Sequence, residues 1–379
     1  MDDPLVARSP RSPPPKLDDE APLPLPSLPT EILQRIIQLA LPRLSFNTIP
    51  ERCDLLLTLC RVNKLWAALA QEELYRHVRI KEDRAADALL ATQHAQPAGG
   101  HRIHSVRFLL PSLDGDKSES NRLEVSQVES MLRALPELKK LYIVGEGISE
   151  PFIELGTLFP LLQGIQDLTI DYCTFVPSSL SFTFNPSSCL SLGRLRRLTL
   201  SFFDNPTDTT FLLSSAELPQ LEELAILALG FLDNPEDMEA LEAVLLHLGP
   251  QLKAFTICFR ESSTLRGLSD RVWSSFKVLQ NLTVNHNAQF ETILPFLSAP
   301  APLDYLRLLR PPFEMDQPPA VQNLSNTIAA LPDTLVPQAL HLCPSDAWSE
   351  ESNETARHLL AELCSARGIE LVKLKNRDE

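Results

Sequence analysis

The sequence predicts an α/β repeat protein with a small all-α unit near its N-terminus. Three observations predict this architecture: an apolar spacing that recurs along most of the chain, helical patterns between its copies, and a Leu- and Ile-rich helical stretch ahead of them. We predict a proline-rich disordered tail over residues 1–24, the all-α unit over 25–80, a linker helix and loop over 81–100, and repeats with a C-terminal cap over 101–379.

The composition narrows the classes of function. A length of 379 residues with 44% hydrophobic residues allows a large buried core. A net charge of −15 argues against binding to nucleic acid or to an anionic membrane surface, because both need a basic face. The chain has seven scattered cysteines without a C-x-x-C pair, no membrane-spanning apolar run and no signal-peptide pattern, which predicts a cytoplasmic and/or nuclear protein.

The all-α unit begins with a helix-start signal. Pro29 and Thr30 suit the first turn of a helix, apolar residues at helical spacing follow, and Pro42 ends the helix. We predict a loop over 44–50, helices over 51–59 and 63–70, a helical turn over 71–76 and an extended segment over 77–80. The stretch holds more large apolar side chains than a short helical hairpin can bury, so we predict that the surplus forms a surface for a partner.

Three blocks of this stretch resemble an F-box. The run Leu28-Pro29-x-Glu31-Ile32-Leu33-x-x-Ile36 is similar to its opening, Leu56-x-x-Leu59-x-x-Val62-Asn63-Lys64-x-Trp66-x-x-Leu69-Ala70 to its second half, and Leu74-Tyr75-Arg76-His77-Val78 to its close. The resemblance implies docking to the Skp-type adaptor of a cullin–RING ubiquitin ligase. The adaptor-binding residues that it implies are Leu28, Pro29, Glu31, Ile32, Ile36, Leu59, Val62 and Trp66.

From residue 101 onward, the spacing apolar-x-x-apolar-x-apolar occurs eight times, with first positions 24 to 35 residues apart. The series resembles the degenerate leucine-rich-repeat domain of fungal-type F-box proteins, which implies an irregular solenoid of parallel strands with outer helices. The eight triads are Ile103/Val106/Phe108, Leu138/Leu141/Ile143, Ile165/Leu168/Ile170, Leu195/Leu198/Leu200, Leu221/Leu224/Ile226, Leu252/Phe255/Ile257, Leu279/Leu282/Val284 and Leu303/Leu306/Leu308.

Helical patterns separate or follow these triads. We predict helices over 84–93, 125–135, 237–248 and 270–279, and a C-terminal cap made of strands over 338–342 and 369–374 with a helix over 352–367. Terminal units of this kind cover the open core of a repeat protein.

Residues between the apolar positions of a strand face the opposite side of the sheet, where a protein substrate could bind. The candidates for this face are Arg107, Lys140, Tyr142, Asp167, Asp171, Arg197, Glu223, Asn281, Asn285, Tyr305 and Arg307. No Gly-rich phosphate loop, H-E-x-x-H motif or nucleophile elbow occurs, so we expect a non-catalytic protein without a cofactor or metal.

Three hypotheses follow. The first is a substrate-recognition subunit of a Skp–cullin–F-box ubiquitin ligase, which holds an unknown protein target for ubiquitin-dependent degradation. The second is a leucine-rich-repeat interaction scaffold in which the N-terminal helices only cap the array and ubiquitin plays no part. The third is an enzyme on an alternating α/β scaffold, which the missing site motifs and the repeat spacing disfavour.

Overall fold

We describe a computed structural model of the chain, which divides into two compact units, residues 1–73 and 74–379. The proline-rich tail and several connecting segments lie outside the described residues. Those described are 28–43, 48–95, 102–111, 123–146, 152–154, 158–176, 190–201, 213, 216–229, 235–259, 268–285, 303–309, 325–326, 328–329, 336–342 and 354–373.

Three helices carry the described part of the first unit: α1 (Thr30–Ala40), α2 (Ile49–Leu59) and α3 (Lys64–Arg76). Helix α1 starts at Pro29, whose carbonyl accepts the Ile32 and Leu33 N–H groups at 3.0 and 3.1 Å. Helix α3 starts where the Asn63 side-chain oxygen accepts the Trp66 N–H at 3.0 Å, as an N-cap does. The predicted helix over 63–70 and the predicted helical turn over 71–76 form one continuous helix, because no Pro or Gly interrupts α3 before its end at residue 76.

The second unit contains an open sheet of eleven parallel strands, which lie side by side in chain order. They are β1 (His77–Ile80), β2 (Ser105–Pro111), β3 (Lys140–Glu146), β5 (Asp167–Asp171), β8 (Arg197–Ser201), β10 (Glu223–Leu229), β11 (Ala254–Phe259), β12 (Asn281–Asn285), β13 (Tyr305–Leu309), β14 (Ala339–Leu342) and β15 (Glu370–Lys373). Two short parallel pairs accompany it: β4 (Phe152–Glu154) with β6 (Thr174–Val176), and β7 (Leu190–Ser191) with β9 (Ala216–Glu217).

Helices connect or follow some of these strands and share one core with them. Each contributes buried apolar side chains, for example Leu89, Met131, Leu245, Trp273 and Leu360. The helices are α4 (Asp83–Ala95), α5 (Val125–Ala134), α6 (Pro235–Leu248), α7 (Asp270–Ser275) and α8 (Glu354–Ala366). The chain therefore has the α/β architecture that the alternation of patterns predicted.

All eight predicted triads supply strands of the main sheet. Their first positions are buried, and so are the second and third positions whose burial the structure describes, at 3% exposure or less. Neighbouring strands start in register, so equivalent positions meet across the sheet, as Leu168 meets Leu198 and Leu198 meets Leu224. The pairing of β10 with β11 shifts register between Ile226 and Leu229. Alternate positions point away from this core, as period-two strands require.

The sheet begins earlier than the first triad predicted. Strand β1 pairs in parallel with β2, and α4, which lies in the predicted linker helix and loop over 81–100, places Ala86 and Leu89 in the shared core. A signal was present, because Tyr75, Val78 and Ile80 have the triad spacing. Helix α7 is shorter than predicted. It ends before Phe276, whose ring turns into the core and stacks on Phe255 with 4.9 Å between centroids.

A repeated backbone arrangement, which we call the backbone relay, fixes the start of six strands: β3, β5, β8, β10, β11 and β12. The N–H groups of Lys139 and Lys140 both donate to the His104 carbonyl at 3.1 and 3.0 Å, and those of Gln166 and Asp167 donate to the Lys139 carbonyl at 2.8 and 3.1 Å. The same pair of hydrogen bonds recurs at the carbonyls of Gln166, Arg196, Glu222 and Lys253. These bonds satisfy polar groups that would otherwise be unpaired beside a buried core.

A tight turn precedes five of these strands. In each turn, the first apolar residue of the triad donates its N–H to the carbonyl of the residue three positions before it. Leu138, Ile165, Leu195 and Leu221 each donate an N–H to a leucine carbonyl, whereas Leu252 donates to the carbonyl of Gly249 at 3.3 Å. A Cβ at Gly249 would lie 2.1 Å from Ser275 Oγ and 3.1 Å from Ser275 Cβ. Close packing of Ser275 therefore explains why a glycine stands at this turn.

We predict that Gly249→Ala destabilises the second unit by about 1–3 kcal/mol, the usual cost of overpacking a tight contact. The new Cβ displaces Ser275, whose hydroxyl donates to the Val272 carbonyl at 2.6 Å. Gly193→Ala is the matched control, because its nearest atom would be Ser191 Oγ at an ordinary 3.5 Å. Urea unfolding followed by circular dichroism measures both. Equal stabilities of the two variants would contradict this account.

Candidate interaction surfaces

Helix α1 carries two apolar stripes, only one of which is buried. Leu33 and Ile37 are 8% and 1% exposed and belong to the core of the first unit. Ile32 and Ile36, four residues apart and therefore on one face of the helix, are 49% and 42% exposed. The helix thus presents to solvent the kind of side chain that folding normally buries.

The exposed apolar character extends to the other helices of the first unit. Ten large apolar side chains are exposed among the described residues, and seven of these lie between residues 28 and 65, with exposures of 42% to 69%. The seven, which we call the apolar surface, are Leu28, Ile32, Ile36, Leu39, Leu57, Val62 and Leu65. Such a concentration on a short unit marks an interaction site more often than chance exposure does.

The predicted adaptor-binding residues divide between two environments. Leu28, Ile32, Ile36 and Val62 belong to the apolar surface, and Pro29 and Glu31 are also exposed. Leu59 and Trp66 are half-buried. The sequence interpretation missed three members of the apolar surface, Leu39, Leu57 and Leu65; of these, Leu39 could have been found from its position three residues after Ile36.

A buried ion pair holds the helices that carry this surface. Arg52 Nη2 on α2 lies 3.4 Å from Glu73 Oε1 on α3, and their side chains are 11% and 6% exposed. Arg52 Nη1 also donates to the Pro42 carbonyl, just beyond the end of α1. One guanidinium therefore ties α2 to α3 and to the segment that follows α1.

We predict that Glu73→Ala destabilises the first unit by about 3–5 kcal/mol, because it leaves a buried guanidinium without its counter-charge. Replacing both partners, as Arg52→Met with Glu73→Leu, should cost less. Glu72→Ala is the control, since the exposed Glu72 side chain makes only a 3.5 Å bond with Gln34. Thermal unfolding of the three variants measures this, and a double variant less stable than Glu73→Ala would contradict it.

The second candidate surface is the polar face of the sheet, defined as the strand positions that alternate with the core. All eleven predicted residues of this face lie in strands: Arg107, Lys140, Tyr142, Asp167, Asp171, Arg197, Glu223, Asn281, Asn285, Tyr305 and Arg307. The structure adds Arg79 and His341, which stand in register with Arg107 and Arg307. Thr169 pairs with Thr199 and Thr256 with Thr283, so the middle of the face is lined by small hydroxyls.

Four charged residues of the polar face form a ladder across adjacent strands. Lys140 Nζ lies 2.8 Å from Asp167 Oδ2, which is 3.6 Å from Arg197 Nη1, and Arg197 Nε lies 3.1 Å from Glu223 Oε1. The alternation of sign neutralises the two cations internally. This part of the face therefore has little unbalanced charge to offer a ligand.

Asp171 at the end of β5 is in a different environment. Burial raises the pKa of its carboxyl to about 6, against the opposing effects of the Arg107 guanidinium and the Tyr172 backbone N–H. Its Oδ1 atom is shielded from water and has no hydrogen-bond partner. A proton on this carboxyl would remove the charge that burial penalises.

This shift predicts that protonation of Asp171 favours folding. The raised pKa stabilises the fold fully below the ordinary aspartate pKa of about 3.9, and this contribution is lost as the pH rises through about 6. Asp171→Asn, which resembles the protonated form, should therefore raise the melting temperature of the protein at about pH 7.5 and leave it almost unchanged near pH 4. A difference in melting temperature that does not depend on pH would contradict the shift.

Two kinds of site are absent from the described part of the chain. No group of three or more His, Cys, Asp or Glu side chains there could hold a metal ion. None of the helices that the structure describes combines the length and apolar character needed to cross a membrane.

The chain matches no protein-family model, and comparison with curated proteins finds no similar sequence.

Proposed function

We propose that the protein is the substrate-recognition subunit of a Skp–cullin–F-box ubiquitin ligase. In this proposal the first unit is an F-box-like docking unit for a Skp-type adaptor, which connects it to a cullin, and the second unit is a leucine-rich-repeat solenoid that binds a protein target. The chain would hold the target near the ubiquitin-charged enzyme, which is catalysis by proximity without chemistry of its own. We propose a cytoplasmic or nuclear location, where such ligases assemble.

The apolar surface is the observation that carries the proposal. Leu28, Ile32, Ile36 and Val62 occupy positions of the F-box-like blocks and are exposed on a unit that already has its own core. Fully burying one large apolar side chain contributes roughly 1.5–3 kcal/mol before the cost of association. Several such side chains covered by one partner would suffice for a stable complex.

The architecture of the second unit supports a binding role for the repeats. Its parallel strands add one beside the next, and one set of alternate strand positions belongs to a continuous core while the other forms the polar face. Repeat arrays of this kind bind proteins over an extended surface. An enzyme would instead need convergent acid, base or metal-binding groups, and the ladder residues pair with one another.

The scaffold hypothesis is the alternative, in which the N-terminal helices only support the repeats. It gives no reason for Ile32 and Ile36 to face solvent beside the buried pair Leu33 and Ile37. Under this hypothesis, replacing the exposed residues should affect no partner of the protein. The two proposals are therefore distinguished by variants of the apolar surface alone.

We predict that Ile32→Ala combined with Ile36→Ala weakens binding to a purified Skp-type adaptor by at least about tenfold, equivalent to 1.4 kcal/mol. Because alanine has the higher helix propensity and both side chains are exposed, α1 should remain folded. Isothermal titration calorimetry measures the affinity, and circular dichroism checks the fold.

Leu246→Ala combined with Leu359→Ala is the matched control. These residues also lie on helices and are 38% and 47% exposed, but they belong to the second unit. The control pair should bind the adaptor as the unmodified chain does. If the unmodified chain fails to bind any Skp-type adaptor, or if both pairs bind equally well, the docking proposal is wrong.

A further inference from the structure

We propose that a patch on strands β12–β14 binds a carboxylate side chain of an extended acidic segment in a partner protein. The patch consists of Asn281, Thr283, Tyr305, Arg307 and His341, which occupy neighbouring register positions on the polar face. This inference names the chemistry of the target and, as a substrate site, rests on the proposed function. The capture of the acidic segment itself depends only on the patch.

The cations of the polar face differ in whether they have a carboxylate partner. Lys140 and Arg197 have carboxylate partners within the ladder, at 2.8 and 3.1 Å. Arg307 differs, because no carboxylate among the described residues lies within ion-pairing distance of it. Among the described residues of this face, a half-buried guanidinium that has no carboxylate partner there favours an incoming anion.

Two buried polar atoms of the patch are available for hydrogen bonds to a ligand. Arg307 Nε and Asn281 Oδ1 are both shielded from water and have no hydrogen-bond partner. Unsatisfied buried polar atoms are destabilising, so groups left in this state at a surface suggest a ligand that completes them. A carboxylate accepts hydrogen bonds from the guanidinium, and a peptide N–H can donate to the Asn281 oxygen after a small rotation of these side chains.

Two aromatic rings lie beside Arg307. The rings of Tyr305 and His341 are stacked, with 4.9 Å between centroids and 12° between planes. Burial and the nearby Arg307 guanidinium lower the pKa of His341, so its imidazole is neutral at physiological pH. The stack therefore offers an apolar, uncharged surface for the methylene groups of a Glu or Asp side chain.

The charge of the patch distinguishes a carboxylate ligand from a phosphate ligand. The patch offers one formal positive charge, and acidic residues flank it: the charge of Glu223 acts on Tyr305 and that of Glu370 acts on His341. In an extended segment successive side chains point to opposite faces, so one carboxylate enters the patch and balances one guanidinium, whereas a phosphate would place about two negative charges at the same point beside the flanking carboxylates. The charge balance thus favours an acidic segment over a phosphorylated one.

The test uses the full-length chain and an acetylated, amidated hexaglutamate peptide as the probe. We expect the peptide to bind, and Arg307→Gln to weaken its binding by about tenfold or more, as loss of a charge-assisted hydrogen bond predicts. Arg197→Gln is the matched control: it removes the same charge from the same face, but at a residue that the ladder already pairs. It should change the affinity by less than about threefold.

Two further arms complete the experiment. Hexaglutamine should not bind, and an otherwise uncharged peptide with one phosphoserine should bind more weakly than hexaglutamate. The proposal is overturned if hexaglutamate does not bind, if Arg197→Gln and Arg307→Gln weaken it equally, or if the phosphopeptide binds more tightly. Arg307→Gln should leave adaptor binding intact, and Ile32→Ala with Ile36→Ala should leave peptide binding intact, so failure of this site is distinguished from failure of the docking proposal.

Discussion

The second unit depends on the backbone relay at the start of six of its strands, from β3 to β12 of the main sheet. Each carbonyl of the relay accepts two N–H groups from the next repeat, as the Gln166 carbonyl accepts those of Arg196 and Arg197 at 2.8 and 3.0 Å. The arrangement sets the register where these strands begin, so equivalent residues of successive repeats stand beside each other. Leucines then meet leucines in the core, and the polar positions form continuous rows on the other face.

This constraint explains how an irregular sequence supports a regular sheet. The segments between strands differ in length and in helix content, yet the six strands of the relay start from the same pair of hydrogen bonds. Variation is confined to the connections and to the polar rows, where the pairing of strands places Arg107, Lys140 and Asp171 near one end and Asn281, Arg307 and His341 near the other. The first unit is held together differently. Its short helices have a small core and a buried Arg52–Glu73 ion pair, and they leave the apolar surface exposed.

Features repeated along the chain were accessible from sequence, and features made by distant residues were not. The triads predicted eight strands because alternate side chains of a strand point to the same face of a sheet, where a core can bury them. The apolar surplus of residues 28–78 likewise predicted exposed side chains, because a short hairpin has a limited interior. The Arg52–Glu73 pair depends on how α2 packs on α3, and the Tyr305–His341 stack joins residues 36 positions apart across a variable connection. Neither can be read from local spacing.

The central claim is that the first unit docks a Skp-type adaptor while the sheet remains free for a target. Hydrogen–deuterium exchange of the full-length chain, with and without a saturating purified adaptor, tests this most directly because it maps the contact along the backbone. We expect adaptor-dependent protection in residues 28–40 and 57–66, which carry the apolar surface, and unchanged exchange in the strands from β2 to β15. Protection confined to the strands, or no change anywhere, would contradict the claim.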